Sequence, residues 1–263
     1  MFRKEATMQV YVCVKHVPDT AAKISVVGGN EFAETCKFIV NPYDEYGIEE
    51  AVQQVKQAGS GEVVIVTVGK ESAMVTLRAA LAQGADRGIL VKTESHFLDS
   101  ALTALALHKA IEQDGSPDLI FCGKQSIDSE GMQTSFRLAR AFGMPVITDV
   151  VDLSIGNRQA TIEREIGGGS REVAEMSLPG VIGATRGLNE PRYPKLPDIL
   201  KAKKKDVKQI DIAELGLDLT SPQTEIINLE AVPERGQARM MEGSTREMVE
   251  QLVNILKEDD KVL

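Results

Sequence analysis

The chain has no tryptophan, and only 4% of its 263 residues are aromatic. Few rings are therefore on hand to sandwich a flat cofactor. Its three cysteines, Cys13, Cys36 and Cys122, show no paired spacing, which argues against a disulfide framework or a cysteine-built metal site. A reducing, cytoplasmic compartment is the simplest expectation. His16, His96 and His108 are scattered, without an H-E-x-x-H pattern, so no zinc site is expected. His108 falls on the flank of an expected helix, where a solvated ring is the ordinary outcome. No apolar run approaches the roughly 18 residues of a membrane span. The opening MFRKEAT is too short and polar for a secretory signal. A net charge of −9 disfavours a general nucleic-acid binder. No G-x-G-x-x-G follows the first strand, and neither a P-loop nor a G-x-S-x-G elbow occurs.

What is present is an ordinary globular composition, 43% apolar and 26% charged, in a chain long enough to bury a substantial core. Short apolar runs alternate with helical patterns. Val10–Val14, Phe38–Val40, Glu62–Val68, Ile89–Val91 and Asp118–Cys122 read as buried strands. Glu45–Ala58, Ser72–Ala82, Asp99–Glu112 and Gln133–Phe142 read as helices. Asn41 or Asp44 can cap the first of these. The alternation predicts an α/β fold with a doubly wound, mostly parallel sheet. Val146–Leu153 and Gln159–Glu165 alternate more strictly, as antiparallel additions do, and Val173–Ser177 and Gly180–Thr185 complete the strands. After Asp206 the chain turns polar and rich in turns, until Thr245–Lys257 resumes a helical pattern with Met248, Leu252 and Ile255 on one face. Residues 1–225 are expected to form the α/β domain. Residues 226–263 read either as an arm for a partner subunit or as a segment packed on its own domain.

In an open parallel sheet, ligands bind beyond the carboxyl ends of the strands. Those ends carry Cys13 with Lys15, Asn41–Asp44, Val68 with Gly69, and the stretch GKQSIDSEGMQT from Gly123 to Thr134. The last leads straight into a helix, whose first N–H groups lack intrahelical partners and can hold a phosphate. Ser129 and Thr134 add hydroxyls, Gln125 and Gln133 add amides, and Arg137 lies one turn further on. Asp128 can take a ribose hydroxyl or cap the helix. An ordinary capped helix after a polar loop explains the same residues.

From Arg186 the sequence reads RGLNEPRYPKLPDILKAKKK, with Pro191, Pro194 and Pro197 at every third position. Each proline fixes φ and lacks an N–H, so Arg192–Pro197 is expected to be extended, polyproline-like loop. Asp198 is then a plausible N-cap for a short helix, Ile199–Lys205, with a basic end. One reading is a plain connection. The other is a stiff hook presenting Leu196, whose burial in a partner would contribute about 1.5–3 kcal/mol.

This stretch resembles the β subunits of electron-transfer flavoproteins, which carry a segment of the form LNEPRY…LP-N/D-I-x-KAKKK. The resemblance includes Glu163–Gly169 followed by Leu178–Ile182, and runs from about Gln9 to Asp218, more weakly to the end. It implies a Rossmann-like domain, similar to the adenine-nucleotide α-hydrolases, with 188–205 as a partner-recognition loop and 226–263 as an arm on an α subunit. Leu196 would be the docking anchor, with Pro197, Ile199, Lys201 and Lys204 around it. It further implies an AMP site formed by Cys13, Asn41, Pro42, Tyr43, Asp44, Val68, Gln125, Ser126, Ile127, Asp128, Ser129, Glu130, Gly131, Met132, Gln133 and Thr134. The Arg164–Gly169 segment would lie near the subunit interface and the flavin. Here Ser129–Met132 stands where relatives often have a more acidic or threonine-containing run, and Tyr43-Asp44 replaces the aromatic-small pair of the classical mitochondrial type.

On that resemblance the chain is expected to be a binding subunit, not a catalyst. With an α subunit holding most of an FAD, it would carry electrons from acyl-CoA-type dehydrogenases, as in fatty acid β-oxidation. The acceptor would be of the electron-transfer-flavoprotein:quinone oxidoreductase type. Some relatives instead hold a second FAD in the β pocket and split electron pairs from NADH, and that alternative stays open. A third reading is a free nucleotide-binding or nucleotide-hydrolysing α/β protein.

Overall fold

A computed structural model describes residues 7–95, 97–220, 222–233, 236, 238, 240–259, 261 and 262. His96 and most of the N-terminal MFRKEAT lie outside the described residues. The first unit, through Leu229, opens with β1 (Met8–Cys13), β2 (His16–Pro18), β3 (Val26–Val27), β4 (Glu31–Phe32) and β5 (Phe38–Val40). It continues with α1 (Pro42–Ala58), β6 (Gly61–Gly69), α2 (Met74–Ala82), β7 (Arg87–Lys92), α3 (Ser100–Asp114), β8 (Leu119–Gly123) and α4 (Thr134–Phe142). Then come β9 (Val146–Gly156), β10 (Gln159–Gly167), β11 (Ser170–Ser177), β12 (Gly180–Ala184), α5 (Leu196–Ala202) and β13 (Val207–Asp211).

Nine strands form one sheet in the order β11-β10-β9-β12-β8-β1-β6-β7-β13. The pairings from β9 through β13 along that order are parallel. Within this sheet the β9-β10 and β10-β11 pairings are antiparallel. The fold is therefore the doubly wound α/β architecture that the alternating pattern predicts. Strand side chains alternate between faces, and β1 feeds both cores. Val10, Val12 and Val14 join Ile48, Leu77 and Leu81 of α1 and α2 on one side. Tyr11 and Cys13 join Leu107, Ile111 and Leu138 of α3 and α4 on the other.

Several elements differ from the sequence reading. The first helix begins at Pro42, because proline suits the first helical turn, and the Asn41 side chain makes no capping bond. The segment after Asp206 is not merely turns. Val207–Asp211 pairs in parallel with β7 as the outer strand; only Ile210 is buried, so an edge strand hides its apolar pattern. His16–Pro18, to which the sequence reading assigns no element, forms a short strand paired with β5. His108 is half-buried rather than solvated. Its ring meets Phe142 edge-on at 4.4 Å, and burial pulls its pKa down.

The second unit runs from Glu230 onward. It contains α6 (Thr245–Asn254), continued by a π-turn at Ile255–Asp259. Ser244 accepts the Glu247 N–H, and Glu247 reaches back to the Ser244 N–H at 2.7 Å. None of the α6 residues is buried. Among the described residues, no helix is long and apolar enough to cross a membrane.

One core position is energetically incomplete. Thr67 in β6 is fully buried, and its hydroxyl has no hydrogen-bond partner among the described residues. An unmade buried hydrogen bond costs about 1–3 kcal/mol. Thr67→Val keeps the shape and removes the hydroxyl, so it is expected to raise stability by about 1 kcal/mol. Equilibrium urea unfolding checks this; an unchanged or lowered midpoint contradicts it.

Candidate functional site

From β1 the chain winds outward through β6 to β7, then returns to place β8 on the other flank of β1. The topological switch thus lies between β1 and β8, and a crevice opens beyond their carboxyl ends. Cys13 ends β1, Gly123 ends β8, and the N-terminus of α1 arrives between them.

These three pieces are tied by two side chains. Asp44, 4% exposed, accepts the Lys15 N–H at 2.7 Å and the Gly123 N–H at 2.9 Å. It also accepts the Asn41 amide at 2.9 Å. Asn41 donates to the Gln125 carbonyl at 2.9 Å and accepts the Ile127 N–H at 3.1 Å. Sheet end, helix start and the polar loop are closed into one knot. Gly123 is required there: a Cβ would overlap the Asp44 carboxylate and come within 2.9 Å of the Tyr43 backbone. Burial pushes the Asp44 carboxyl up to about 7, against the pull of its three donors. Beside it, contact with the Cys122 thiol and burial raise the Cys13 thiol, which disfavours a Cys13 thiolate.

Over the knot, Lys15 extends into the loop. Its Nζ donates to Asp128 at 2.8 Å, Ser129 Oγ at 3.2 Å and Ser126 Oγ at 3.3 Å. Asp128 therefore neutralises Lys15 and does not cap α4. Glu130 and Met132 adopt positive φ, bending the chain toward Gln133. That residue precedes α4 without a side-chain cap. Its Oε1 takes bonds from Ser100 and Arg137 instead, and Arg137 also reaches Gln223.

The structure thus draws Cys13, Asn41–Asp44 and Gln125–Ser129 around Lys15. Val68 stands near the end of β6, half-buried. Glu130–Gln133 are exposed, with Thr134 opening α4. The residues fit a phosphate-bearing ligand: the first turn of α4 is uncapped, and an ammonium with two hydroxyls stands at the crevice. Lys15 and Asp128 are the groups such a ligand would repartition. Lys15 was legible two residues beyond β1, but its bonds 111 to 114 residues away were not. No side-chain cluster suited to a metal ion occurs among the described residues.

The proline-rich segment is corrected by the structure. Leu196 and Pro197 are the first two residues of α5, not the end of an extended loop. Proline is compatible with the first helical turn because those N–H groups need no intrahelical partner. Asp198 stands inside the helix, and its carboxylate accepts the Lys195 N–H at 3.2 Å. Leu196 is 69% exposed, and Pro197, Ile199, Lys201 and Lys204 are exposed with it. Composition did not reveal what holds this ledge. Buried Glu49 of α1 takes a two-pronged ion pair from Arg192, at 2.6 and 2.8 Å. Burial alone would raise the Glu49 carboxyl, but Arg192 and Gln53 outweigh it and hold it below its ordinary value. Arg78 of α2 donates to the carbonyls of Ala202 and Lys205, and Lys205 donates to those of Leu81 and Ala85. The ends of α2 and α5 cap each other.

The glycines 167–169 sit at the β10-β11 turn with positive φ and open space around each. Val173 and Ile166 of this outer hairpin are exposed.

Fold and crevice define a doubly wound α/β protein with its polar groups gathered at the topological switch. Residues 30–215 match the family model described as electron transfer flavoprotein domain. The chain is 34% identical to an electron transfer flavoprotein subunit beta of Bacillus subtilis, over 97% of this chain and the whole of that one. A mitochondrial subunit beta of Arabidopsis thaliana is 39% identical, covering 94% of this chain and 98% of that one. The Homo sapiens subunit beta is 37% identical over 98% and 100%. The chain belongs to the electron transfer flavoprotein family, among its β subunits.

Because the folded pKa of Asp44 lies above its value of 3.8 in a free chain, the folded state binds that proton more tightly. Its contribution favours folding at low pH and is lost as pH rises from about 4 to 7. Asp44→Asn removes this dependence. Between pH 5 and 7, the stability of the native protein relative to the variant is expected to fall by about 2–3 kcal/mol. Denaturation of both proteins across that range checks the sign; parallel curves contradict it.

Proposed function

We propose that this chain is the β half of a heterodimeric electron carrier. It pairs with an α subunit that holds most of an FAD, takes electrons from acyl-CoA-type dehydrogenases and delivers them to a quinone-linked acceptor. The flavin, when bound, supplies the redox chemistry. The chain's own residues position and recognise. Asn41 and Asp44 fix the crevice, and Lys15, Ser126, Ser129 and the start of α4 hold the phosphate of AMP. Leu196, Pro197, Ile199, Lys201 and Lys204 dock the dehydrogenase. The second unit is the arm that packs on the α subunit, and the protein works in the cytoplasm as a carrier and not as an enzyme.

The observation that carries this reading is the ledge at α5. Leu196 and Leu200 are exposed on a helix whose two ends are bolted to α1 and α2 by Arg192, Arg78 and Lys205. A soluble chain does not ordinarily stiffen an apolar display unless something binds it.

Three measurements test it on the heterodimer. Acid release and chromatography of the bound nucleotides are expected to give one FAD and one AMP. Two FAD and no AMP would replace the carrier with the electron-splitting alternative, in which NADH is the donor. Leu196→Ala is expected to slow reduction by a medium-chain acyl-CoA dehydrogenase about tenfold while flavin content stays whole. Unchanged transfer kinetics would remove the docking assignment. Replacing Gln133 by Leu and Thr134 by Val should lose the nucleotide or weaken assembly; retention of both would show that the pocket lies elsewhere.

A further inference from the structure

Beside the exposed ledge lies a cleft of about 130 Å³, lined in part by residues that hold or border the ledge. Ala82, Gln83 and Gly84 form one wall, at the end of α2; Arg192, Asp198, Lys201 and Lys205 form the other. Three of these side chains are cationic and one is anionic. Arg192 gives Nε and Nη2 to Glu49. Its Nη1 lies beside Gly84, where a Cβ would stand 3.3 Å away. The carboxylate of Asp198 accepts the Lys195 N–H, and its charge also acts on Arg192 and Lys205, leaving the exposed ammonium of Lys201 and the Arg192 Nη1 edge as the cationic groups for an incoming acid. Lys201 is exposed at the mouth. Lys205, half-buried, is held to two carbonyls, and burial lowers its pKa. The cleft is thus a small cationic recess with a guanidinium edge still free to donate. Gln83 adds an unfinished contact. Its side chain is 6% exposed overall, and its Oε1 is buried without a hydrogen-bond partner among the described residues.

We propose that this cleft receives a carboxylate side chain from the same partner that takes Leu196. The inference rests on the docking reading and extends it from one apolar anchor to two chemically different ones. Charge selects the occupant: a carboxylate pairs with an Arg edge and an ammonium, as the strongest charge-assisted contacts do. Size agrees, since a water's share of liquid is about 30 Å³, and the cleft holds a carboxylate with a bridging water to satisfy Gln83. Placement agrees too. Lys201 lies five residues beyond Leu196 on α5, about 7–8 Å along the axis, well inside a single contact patch. A recess that accepts only an acid beside a ledge that accepts any apolar pocket adds selectivity that Leu196 alone lacks.

The test uses the heterodimer, a medium-chain acyl-CoA dehydrogenase and its acyl-CoA, and three variants: Lys201→Met, Lys203→Met and Leu196→Ala. Both lysines are exposed on one short segment, and only Lys201 lines the cleft. Lys201→Met is expected to raise the KM for the carrier about five- to tenfold, with the limiting rate unchanged and a flatter ionic-strength dependence. Lys203→Met should change KM less than twofold, and all variants should keep full flavin. Equal effects of the two lysine variants, or none from Lys201→Met, with Leu196→Ala still impaired, would overturn the cleft and leave the anchor standing. No effect from Leu196→Ala would overturn the docking reading itself, and the cleft with it.

Discussion

Asp44 is a carboxylate shut away from water, and three elements meet on it. Its two oxygens accept backbone N–H groups from the end of β1 and the end of β8, together with the amide of Asn41. Each of those donors would otherwise be left unpaired at a strand end, at about 1–3 kcal/mol apiece. The position of the loop that follows β8 therefore depends on a residue 79 positions earlier. Gln125 and Ile127 are fixed through Asn41, while Ser126, Asp128 and Ser129 are gathered by Lys15. A carboxylate in this setting is also why Gly123 has no side chain: the knot needs the backbone at close range.

Helix α1 carries that constraint to the far end of the molecule's exposed ledge. Its first turn supplies Asp44. One to two turns on, Glu49 grips Arg192 and Glu50 grips Asn189. Removing one member of such a pair leaves an uncompensated charge, at about 3–5 kcal/mol when the site is buried. Exposure of the Arg192 side chain, at 44% against 7% for Glu49, reduces this but does not abolish it. The proline segment is therefore stiff for two reasons. Its φ angles are fixed locally, and its charges are held by α1 and α2. Only the second reason decides which way Leu196 points.

The sequence made the layered architecture legible because buried parallel strands are written as unbroken apolar runs such as VVIV, and helices between them as spaced ones. It hid β13, an edge strand reading VKQID with alternate residues in water. It misplaced the start of α5, since three prolines in phase suggest extended chain while two of them stand outside the helix and the third tolerates its second position. Residues of the crevice could be chosen from strand ends alone, as Cys13, Asn41 and Gln125 were. Their mutual geometry could not be, because every bond of the knot except that between Asn41 and Asp44 joins segments far apart in the chain. Glu49 and Arg78 escaped notice, and Lys205 read as part of a basic helix end, for the same reason: on a helix surface, charged residues look like solvated ones until their partners arrive from elsewhere.

Charge sets how such a ledge can work. The chain as a whole carries −9, yet α5 and its sequel gather Lys195, Lys201, Lys203 and Lys204 at the surface. At physiological salt the field of exposed charges decays over about 8 Å. An approaching protein thus meets the local positive patch only near contact, while the distant negative balance is screened. Long-range attraction is then weak, and discrimination has to come from close fit. A short rigid helix suits that demand. It loses little freedom on binding, so the complex can be specific without being long-lived. On the proposed docking role, a carrier has to leave each partner as readily as it found it, and Leu196, held from behind by Arg192, Arg78 and Lys205, would meet that need better than a larger, softer surface.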